Sequence, residues 1–365
     1  MRKQAFVFRS VSASLLAACS GLVFIPEKIT PKAPFVIAQV AQAVQTAQRQ
    51  AALPAKAECV MELNSRRILY ASHADIRLPM ASTTKILTAA TVLEHCEDIT
   101  QTFTIPQEAA GIEGSSVYLK SGDSYSIKDL LYGLMLRSGN DCATALALYC
   151  KESVADFAAK MNETAQKAGA LDSRFENPHG LPQKNHYTTA RDLSYITCYA
   201  MQNPTFYEVV STEYYAPRGW KNKNKMLQLY EGGIGVKTGY TKEAGRCLVS
   251  AAKREDMTLI CSVLSCPTTY ERSMELLDDA FAAYKNVCLL NEKEEFTVGE
   301  GKEQVRCVAQ KSFFYPLLEE EQTLVEIKTE RLKKDNRKEK SGEIVGQIEI
   351  YLAKQLLFSG NLYKL

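Results

Sequence analysis

The 365-residue sequence has few of the residues on which several common kinds of functional site depend. It contains four histidines and no Cys-x-x-Cys pair, which argues against zinc or dithiol redox motifs and against a Ser-His-Asp scheme. Its formal net charge is only +2, so no basic excess is present to neutralise a nucleic acid backbone. Internal repeats are absent as well. We therefore expect no nucleic acid partner, no metal and no other cofactor.

The N-terminus has the features of an export signal. Basic residues at positions 2, 3 and 9 precede an uncharged stretch over residues 10–26, which is short for a transmembrane helix. Within it, Leu16-Ala17-Ala18-Cys19 resembles a bacterial lipobox, in which Cys19 would be lipidated and tether the protein to a membrane. The alternative is a plain signal peptide cleaved at a small-x-small site such as Ala41-Gln42-Ala43. Either way, we expect a protein at the cell wall, outside the cytoplasmic membrane.

The length predicts two folded domains after this leader. An export segment over residues 1–26 and a tether over 27–55, rich in Ala, Gln, Pro and Lys, precede the first domain. The first domain is predicted over residues 56–286. Beyond 287, short apolar runs alternate with period two, which predicts a small all-β domain over 287–365. The charged residues 333–340 are predicted to form a solvated loop.

Hydrophobic periodicity and turn residues predict the elements of the first domain. A hairpin is expected around the turn Asn64-Ser65. The hydroxyl of Ser126 is expected to cap a helix, together with Asp129. Helices are predicted over residues 82–94, 126–135, 142–150, 154–168, 189–201 and 270–284, and strands over 232–239, 246–252 and 257–266.

Cysteine usage is unusual for an exported chain, in which eleven cysteines would ordinarily indicate disulfides. Six of them lie within apolar stretches, where cysteine acts as a small apolar residue. These are at positions 96, 142, 150, 198, 247 and 261. The sequence does not decide between buried thiols and disulfides.

Three short motifs follow one another along the chain: Ser82-Thr83-Thr84-Lys85, Ser138-Gly139-Asn140 and Lys237-Thr238-Gly239. Separately, they read as a helix cap, a polar turn and a strand edge. Their order, and their positions at a helix start, an interhelical turn and a strand entrance, indicate one active site.

The chemistry of this set is nucleophilic catalysis. Positions i and i+3 share a helix face, so the Lys85 amine can reach the Ser82 hydroxyl and act as its base. Lys85 must then be neutral, which requires burial or a neighbouring cation such as Lys237 to lower its pKa. Ser138 and Asn140 can relay a proton to a departing amine and hold an amide of the substrate.

These motifs resemble those of the low-molecular-mass penicillin-binding proteins that are serine D-alanyl-D-alanine carboxypeptidases. Flanking strings over residues 78–81, 114–116 and 177–181 strengthen the resemblance, which covers about residues 55–285 and, more weakly, 286–360. It implies an α/β (α+β) fold of the β-lactamase/transpeptidase type. In that fold an antiparallel sheet is flanked by helices with a helical subdomain, and a small all-β domain follows.

The resemblance also implies a role for each motif residue. Ser82 would be acylated by the stem peptide of peptidoglycan, and β-lactam antibiotics would be covalent inhibitors. Lys237 and Thr238 would bind the terminal carboxylate of the substrate, and Gly239 would leave room for the substrate to lie against the strand. The N–H groups of Ser82 and Tyr240 would form the oxyanion hole. Arg272 lies where family members place a carboxylate-binding arginine, although a helix-surface arginine is the alternative.

Three other functions are weighed against this one. A serine β-lactamase needs a second carboxylate to activate water, and Glu176-Asn177 is the only candidate pair in the relevant region. A zinc carboxypeptidase would have to use His179, His186 and Asp192, for which loop histidines are the simpler explanation. A wall-binding scaffold with a silent site is the non-enzymatic alternative.

Overall fold

A computed structural model describes residues 54–332 and 339–365. The predicted export segment with its lipobox, nearly all of the tether, and residues 333–338 of the charged loop lie outside the described residues. Residues 53–365 cluster as one compact unit, so the boundary predicted between residues 286 and 287 stays a prediction. In the described part of the chain, no helix has the length and apolar character needed to cross a membrane.

The centre of the catalytic region is an antiparallel sheet of five strands in the order β2-β1-β9-β8-β7. The predicted hairpin forms its far edge, and the strand with the Lys-Thr-Gly motif forms the other edge. Every residue of β9 is buried, because helices pack on both faces of the sheet. The strands are β1 (Ala57–Glu62), β2 (Ile68–Ser72), β7 (Gly233–Thr241), β8 (Gly245–Arg254) and β9 (Met257–Leu264).

Seven helices lie between β2 and β7 along the chain, and an eighth follows β9 and packs against the sheet. The predicted helices are confirmed, and Ser126 Oγ accepts a hydrogen bond from Asp129 N at 3.0 Å, as expected of a cap. The helices are α1 (Lys85–Leu93), α2 (Ile127–Leu136), α3 (Asn140–Cys150), α4 (Val154–Ala168), α5 (Ala190–Met201), α6 (Pro204–Ser211), α7 (Met226–Leu229) and α8 (Thr269–Ala283).

Two small hairpins lie among these helices. One pairs β3 (Thr102–Thr104) with β4 (Ser124–Ser126), and the other pairs β5 (Tyr214–Tyr215) with β6 (Trp220–Lys221). The second hairpin leads into the segment that enters the Lys-Thr-Gly strand.

The C-terminal region is a β structure with its own apolar core, as predicted. Five strands form an antiparallel sheet in the order β11-β12-β16-β15-β14, and β10 pairs with β13. Ile348, Ile350 and Leu362 are fully buried in this core. The strands are β10 (Lys285–Leu290), β11 (Glu295–Val298), β12 (Val305–Ala309), β13 (Phe313–Leu317), β14 (Val325–Arg331), β15 (Ile344–Leu352) and β16 (Gln355–Lys364).

One arginine joins the two regions, at a contact that we call the seam. Arg67 donates to Pro316 O at 2.6 Å and pairs with the carboxylate of Glu321. Its guanidinium lies 5.2 Å from the ring centres of both Tyr284 and Tyr315. The guanidinium of Arg67 is therefore stabilised by an ion pair, by a hydrogen bond to a carbonyl and by two cation–π contacts.

The ten cysteines of the described residues are free thiols, and eight of them are buried. Of the six cysteines that lie within apolar stretches of the sequence, five are buried and Cys150 is partly exposed. In this structure the cysteines therefore act mainly as small apolar core residues.

Candidate active site

The first motif forms a tight turn at the start of a buried helix. Residues Ala81–Thr84 make a 3-10 turn, and α1 begins at Lys85. The Thr83 hydroxyl donates to Met80 O at 2.7 Å and the Thr84 hydroxyl to Ala81 O at 2.8 Å, which fixes the turn. Ser82 is thereby held one turn before Lys85, and the Lys85 Nζ–Ser82 Oγ distance is 3.0 Å.

The amine of Lys85 is wholly buried and surrounded by neutral oxygen atoms. Besides Ser82 Oγ, Nζ contacts Asn140 Oδ1 at 2.7 Å and His179 O at 2.6 Å. A neutral amine has two N–H donors and one lone pair. If the two carbonyl oxygens take the two hydrogens, the lone pair faces the Ser82 hydroxyl, as a base requires.

Electrostatics favour this neutral form. Burial lowers the pKa of Lys85 well below its ordinary value, and the nearby charge of Lys237 lowers it further. No carboxylate of the described residues forms an ion pair with the amine, which would have the opposite effect.

The second motif closes one side of the site. Ser138 has a positive φ of 65°, and Asn140 is the first residue of α3. The Asn140 amide is fixed at both ends, because Oδ1 accepts from Lys85 and Nδ2 donates to Glu113 O at 2.5 Å. A Cβ on Gly139 would lie 2.7 Å from Asp141 Oδ1, so only glycine fits between these residues.

The third motif brings the sheet edge against the first. Lys237 is 2% exposed and donates to Ser138 Oγ at 3.1 Å and to Thr238 O at 2.8 Å. Burial, followed by the charge of Lys223, lowers the pKa of Lys237 to about 7. A Cβ on Gly239 would lie 2.9 Å from Met80 O and 3.1 Å from Ser82 N, so glycine permits this close approach.

Hydrogen bonds thus join the predicted residues in two groups. Lys85 contacts Ser82 and Asn140, and Lys237 contacts Ser138, which lies two residues before Asn140 in the second motif. Thr238 and Gly239 lie on the same strand as Lys237. Tyr240, the next residue, is 65% exposed, so its side chain faces solvent.

Arg272, by contrast, is not brought to the motif residues. Its guanidinium forms a bidentate ion pair with Glu58, at 2.7 and 2.8 Å, and a further pair with Glu275 at 2.9 Å. Glu58 is 3% exposed and has no other cationic partner among the described residues. These contacts hold the Arg272 side chain at an ion pair between α8 and β1, so the substrate-binding role that the resemblance implies stays a prediction.

Three groups outside the motifs organise the site, and two of them lie in one loop. The carbonyl of His179 accepts from Lys85, and a Cβ on Gly180 would lie 2.0 Å from Ala81 O. The sequence carried a signal for both, since they belong to the string 177–181 that supports the resemblance.

Asp141 is the third of these groups, and motif analysis missed it. It is fully buried, and its carboxylate accepts from the Ser116 hydroxyl at 2.5 Å and from the N–H groups of Val117 and Leu119 at 3.0 and 3.1 Å. It therefore fixes the loop whose carbonyls bind Asn140. Its position directly after the second motif was the only signal.

The residues of the rival functions have other roles. The Glu176 carboxylate accepts hydrogen bonds from the backbone N and side-chain Nδ2 of Asn185, both at 3.2 Å. His186 Nδ1 accepts from Glu176 N at 3.0 Å, which makes Nε2 the donor to Thr84 Oγ1 at 2.9 Å. Burial lowers the pKa of His179 to about 3 and that of His186 to about 4, so both rings are neutral.

Metal ligation finds no support in the residues that the structure describes. Over 54–332 and 339–365, no group of three or more His, Cys, Asp or Glu side chains is placed to hold a metal ion. Asp192, the third candidate ligand, accepts from Asp172 N and the Ser173 hydroxyl, both at 2.7 Å.

This geometry is typical of enzymes that transfer acyl groups through an active-site serine. The Ser82 hydroxyl contacts a neutral amine base, and the hydroxyl of Ser138 contacts the buried amine of Lys237. The family model described as D-alanyl-D-alanine carboxypeptidase matches residues 43–268, more than half of the chain. The chain therefore belongs to the D-alanyl-D-alanine carboxypeptidase family, which confirms the resemblance drawn from the motifs.

Individual relatives agree. D-alanyl-D-alanine carboxypeptidase DacF of Bacillus subtilis is 31% identical over 245 residues, which cover 63% of each chain. DacB2 of Mycobacterium tuberculosis is 34% identical over 244 residues, covering 63% of this chain and 83% of the relative. The chain thus spans less than two thirds of the length of the Bacillus relative.

Solved structures support the fold, including the C-terminal region. Penicillin binding protein 5 from Haemophilus influenzae superposes with a TM-score of 0.70 at 28% identity. The match covers 86% of this chain and 97% of that one. The predicted fold class is therefore confirmed.

Proposed function

We propose that this protein is a serine D-alanyl-D-alanine carboxypeptidase that removes the terminal D-Ala from peptidoglycan stem pentapeptides. One observation carries the proposal. The buried amine of Lys85, which has no carboxylate partner among the described residues, lies 3.0 Å from the Ser82 hydroxyl. This is the arrangement that turns a serine into a nucleophile without histidine.

In the first step, the D-Ala carboxylate binds Lys237 and Thr238. Lys85 takes the Ser82 proton, and Ser82 Oγ attacks the preceding carbonyl carbon. The developing oxyanion is stabilised by the backbone N–H groups of Ser82 and Tyr240. Because the turn that contains Ser82 packs against Gly239, the N–H of Ser82 lies beside the sheet edge from which the second donor comes.

In the second step, the C–N bond breaks and the departing amine takes a proton. Ser138 accepts a hydrogen bond from Lys237, and Lys85 holds the proton taken from Ser82, so these residues can return the proton to D-Ala. Water then hydrolyses the ester on Ser82. A penicillin would acylate the same hydroxyl.

The place of action follows from the substrate. Peptidoglycan lies outside the cytoplasmic membrane, so we propose that the protein is exported and acts at the cell wall. Lipidation at Cys19 and cleavage of a plain signal peptide stay the two alternatives for its N-terminus. Mass analysis of the mature N-terminus in cell membranes would distinguish a lipid-modified cysteine from a cleaved, unmodified chain.

Intact-mass analysis after penicillin treatment tests the nucleophile. We expect one adduct on the wild type and none on Ser82→Ala, while the control Ser211→Ala is labelled like the wild type. Ser211 lies on α6, where its hydroxyl donates to helix carbonyls. An adduct on Ser82→Ala would overturn the assignment.

Product analysis separates the two remaining alternatives. We expect release of D-Ala from a pentapeptide and a penicillin adduct that persists for minutes or longer. Rapid release of hydrolysed penicillin would instead indicate a β-lactamase. Failure of the folded wild type both to bind penicillin and to release D-Ala would indicate a silent wall-binding scaffold.

A further inference from the structure

A surface depression with strongly positive walls lies beside the active site. Its cavity of about 390 Å³ is lined by the cations Arg137, Lys221, Lys223 and Lys225, together with Asn224 and three other residues. We call it the basic cleft. No acidic residue is part of its lining, and none of the four cations forms an ion pair with a carboxylate of the described residues. Four like charges without a counter-ion repel one another, so an anion would stabilise this surface.

An unsatisfied donor lies in the wall of the basic cleft. Asn224 is only 3% exposed, and its Oδ1 accepts from Met226 N at 3.0 Å. Its Nδ2 has no acceptor among the described residues. A buried N–H without an acceptor is unfavourable, and an oxygen of a bound anion that reached it would satisfy it. The amide and the cations thus independently indicate the same ligand chemistry.

The basic cleft adjoins the leaving-group side of the active site. Arg137 is the residue before Ser138, whose hydroxyl accepts from Lys237. The N–H of Lys223 donates to Leu136 O at 3.1 Å, which joins the cleft to the same end of α2. In the proposed mechanism Ser138 and Lys237 face the departing part of the substrate. An anion in the cleft would therefore belong to that part.

We propose that the basic cleft binds a carboxylate of the leaving group, so that the enzyme also cleaves D-alanyl peptides whose leaving portion is acidic. This inference rests on the proposed function. A D-Ala leaving group has one carboxylate, which Lys237 and Thr238 already bind. Four further cations and an amide donor suit a leaving group with a second carboxylate, such as an acidic D-amino acid.

The reaction is the same acyl transfer. A bond forms between Ser82 Oγ and the D-Ala carbonyl carbon, the C–N bond to the acidic residue breaks, and the amine leaves with a proton. Water then hydrolyses the ester, so no other co-reactant is needed. The cleft residues act by positioning the second carboxylate while the C–N bond breaks.

Two synthetic substrates that differ by one charge test the proposal. They are acyl-D-Ala-D-Glu and acyl-D-Ala-D-Gln, which have the same size. We expect wild-type kcat/KM to favour the D-Glu substrate about tenfold, the effect of one charged hydrogen bond. The double variant Lys221→Gln/Lys225→Gln should reduce this ratio to about twofold. The control Lys311→Gln/Lys354→Gln has the same change in net charge on exposed C-terminal residues, and should keep the tenfold ratio.

Equal turnover of the two substrates by the wild type would overturn the proposal. So would a ratio that the cleft variant leaves unchanged, or one that the control lowers equally. Acyl-D-Ala-D-Ala, assayed in parallel, separates the two proposals. No hydrolysis of it refutes the proposed function, whereas hydrolysis without a D-Glu preference refutes the acidic leaving group alone.

The ionic strength of the assay gives a second readout that needs no variant. If the preference is electrostatic, the wild-type ratio should fall as NaCl is raised to about 0.5 M, because the cleft is open to solvent. A ratio independent of salt would contradict the proposal even if the double variant failed to fold.

Discussion

The active site and the seam place basic side chains in opposite surroundings. In the active site, Lys85 and Lys237 are surrounded by hydroxyl and carbonyl oxygens, and no carboxylate of the described residues pairs with either. In the seam, Arg67 has a carboxylate, a carbonyl and two aromatic rings. Burial without a counter-ion favours the neutral form of a lysine, whereas a paired arginine stays charged. The first arrangement provides reactivity and the second provides stability.

The largest effect is expected when the base is removed. Lys85→Met should lower the rate of acylation by about 10³-fold or more, because a general base contributes about 10²–10⁴-fold. Stopped-flow acylation by penicillin measures this rate, and urea unfolding of the same variant checks that it is folded. A folded Lys85→Met protein that is acylated within about tenfold of the wild-type rate would show that another group takes the Ser82 proton.

Removal of the second lysine should have an intermediate effect. Lys237→Gln removes a charged partner of the substrate carboxylate, so kcat/KM should fall by about 10–100-fold. It also removes the positive charge that lowers the pKa of Lys85. Lys85 acts in its neutral form, so the acidic limb of the pH–rate profile should move to higher pH. An acidic limb at unchanged pH would show that Lys237 does not tune the base.

The wild-type profile should also have an alkaline limb. Lys237 binds the carboxylate in its charged form, and burial lowers its pKa to about 7. The free enzyme should therefore lose kcat/KM as the pH rises through about 7, while substrate binding moves the corresponding limb of kcat upward. Lys237→Arg should abolish this limb, because arginine stays charged.

In the seam, the expected effect is on stability instead of rate. Arg67→Met should lower the free energy of unfolding by about 1–3 kcal/mol, because Glu321 is left partly buried without its cation. Penicillin acylation should stay within about twofold of the wild type. Arg306→Met is the matched control, since the Arg306–Glu295 pair is exposed and is worth about 0–1 kcal/mol. Equal losses in the two variants would show that the seam contributes nothing particular.

The smallest effect on activity is expected at Arg272. Its two carboxylate partners are Glu58 and Glu275, so Arg272→Gln should change KM for the peptide by less than about twofold. A KM raised tenfold or more, with kcat unchanged, would support the carboxylate-binding role that the resemblance suggested.

The sequence predicted the active site better than its surroundings. Ser82 and Lys85 lie one helical turn apart, so their contact follows from local geometry, and the three motifs have chemistry that makes sense only together. Arg272 lacked such a constraint. A position on a helix does not by itself fix the direction of a long side chain. The Arg272 side chain points to Glu58 because that buried carboxylate pairs with it.

Other features depend on tertiary contacts that no local pattern encodes. Asp141 binds backbone N–H groups more than twenty residues away, and Arg67 reaches a carbonyl 249 residues along the chain. The all-β character of the C-terminal region was predictable from period-two alternation, whereas the seam was not. The basic cleft likewise assembles residue 137 with residues 221–225, which are distant in sequence.

The central claim is that Lys85 is uncharged at neutral pH, and NMR titration of its amine tests this most directly. With ¹³C-labelled lysine, and Lys85→Met to assign the signal, the Cε resonance should titrate well below the usual value of about 10.4. The titration should move upward in Lys237→Gln. A Lys85 signal that titrates near 10.4 in the folded wild type would contradict the account.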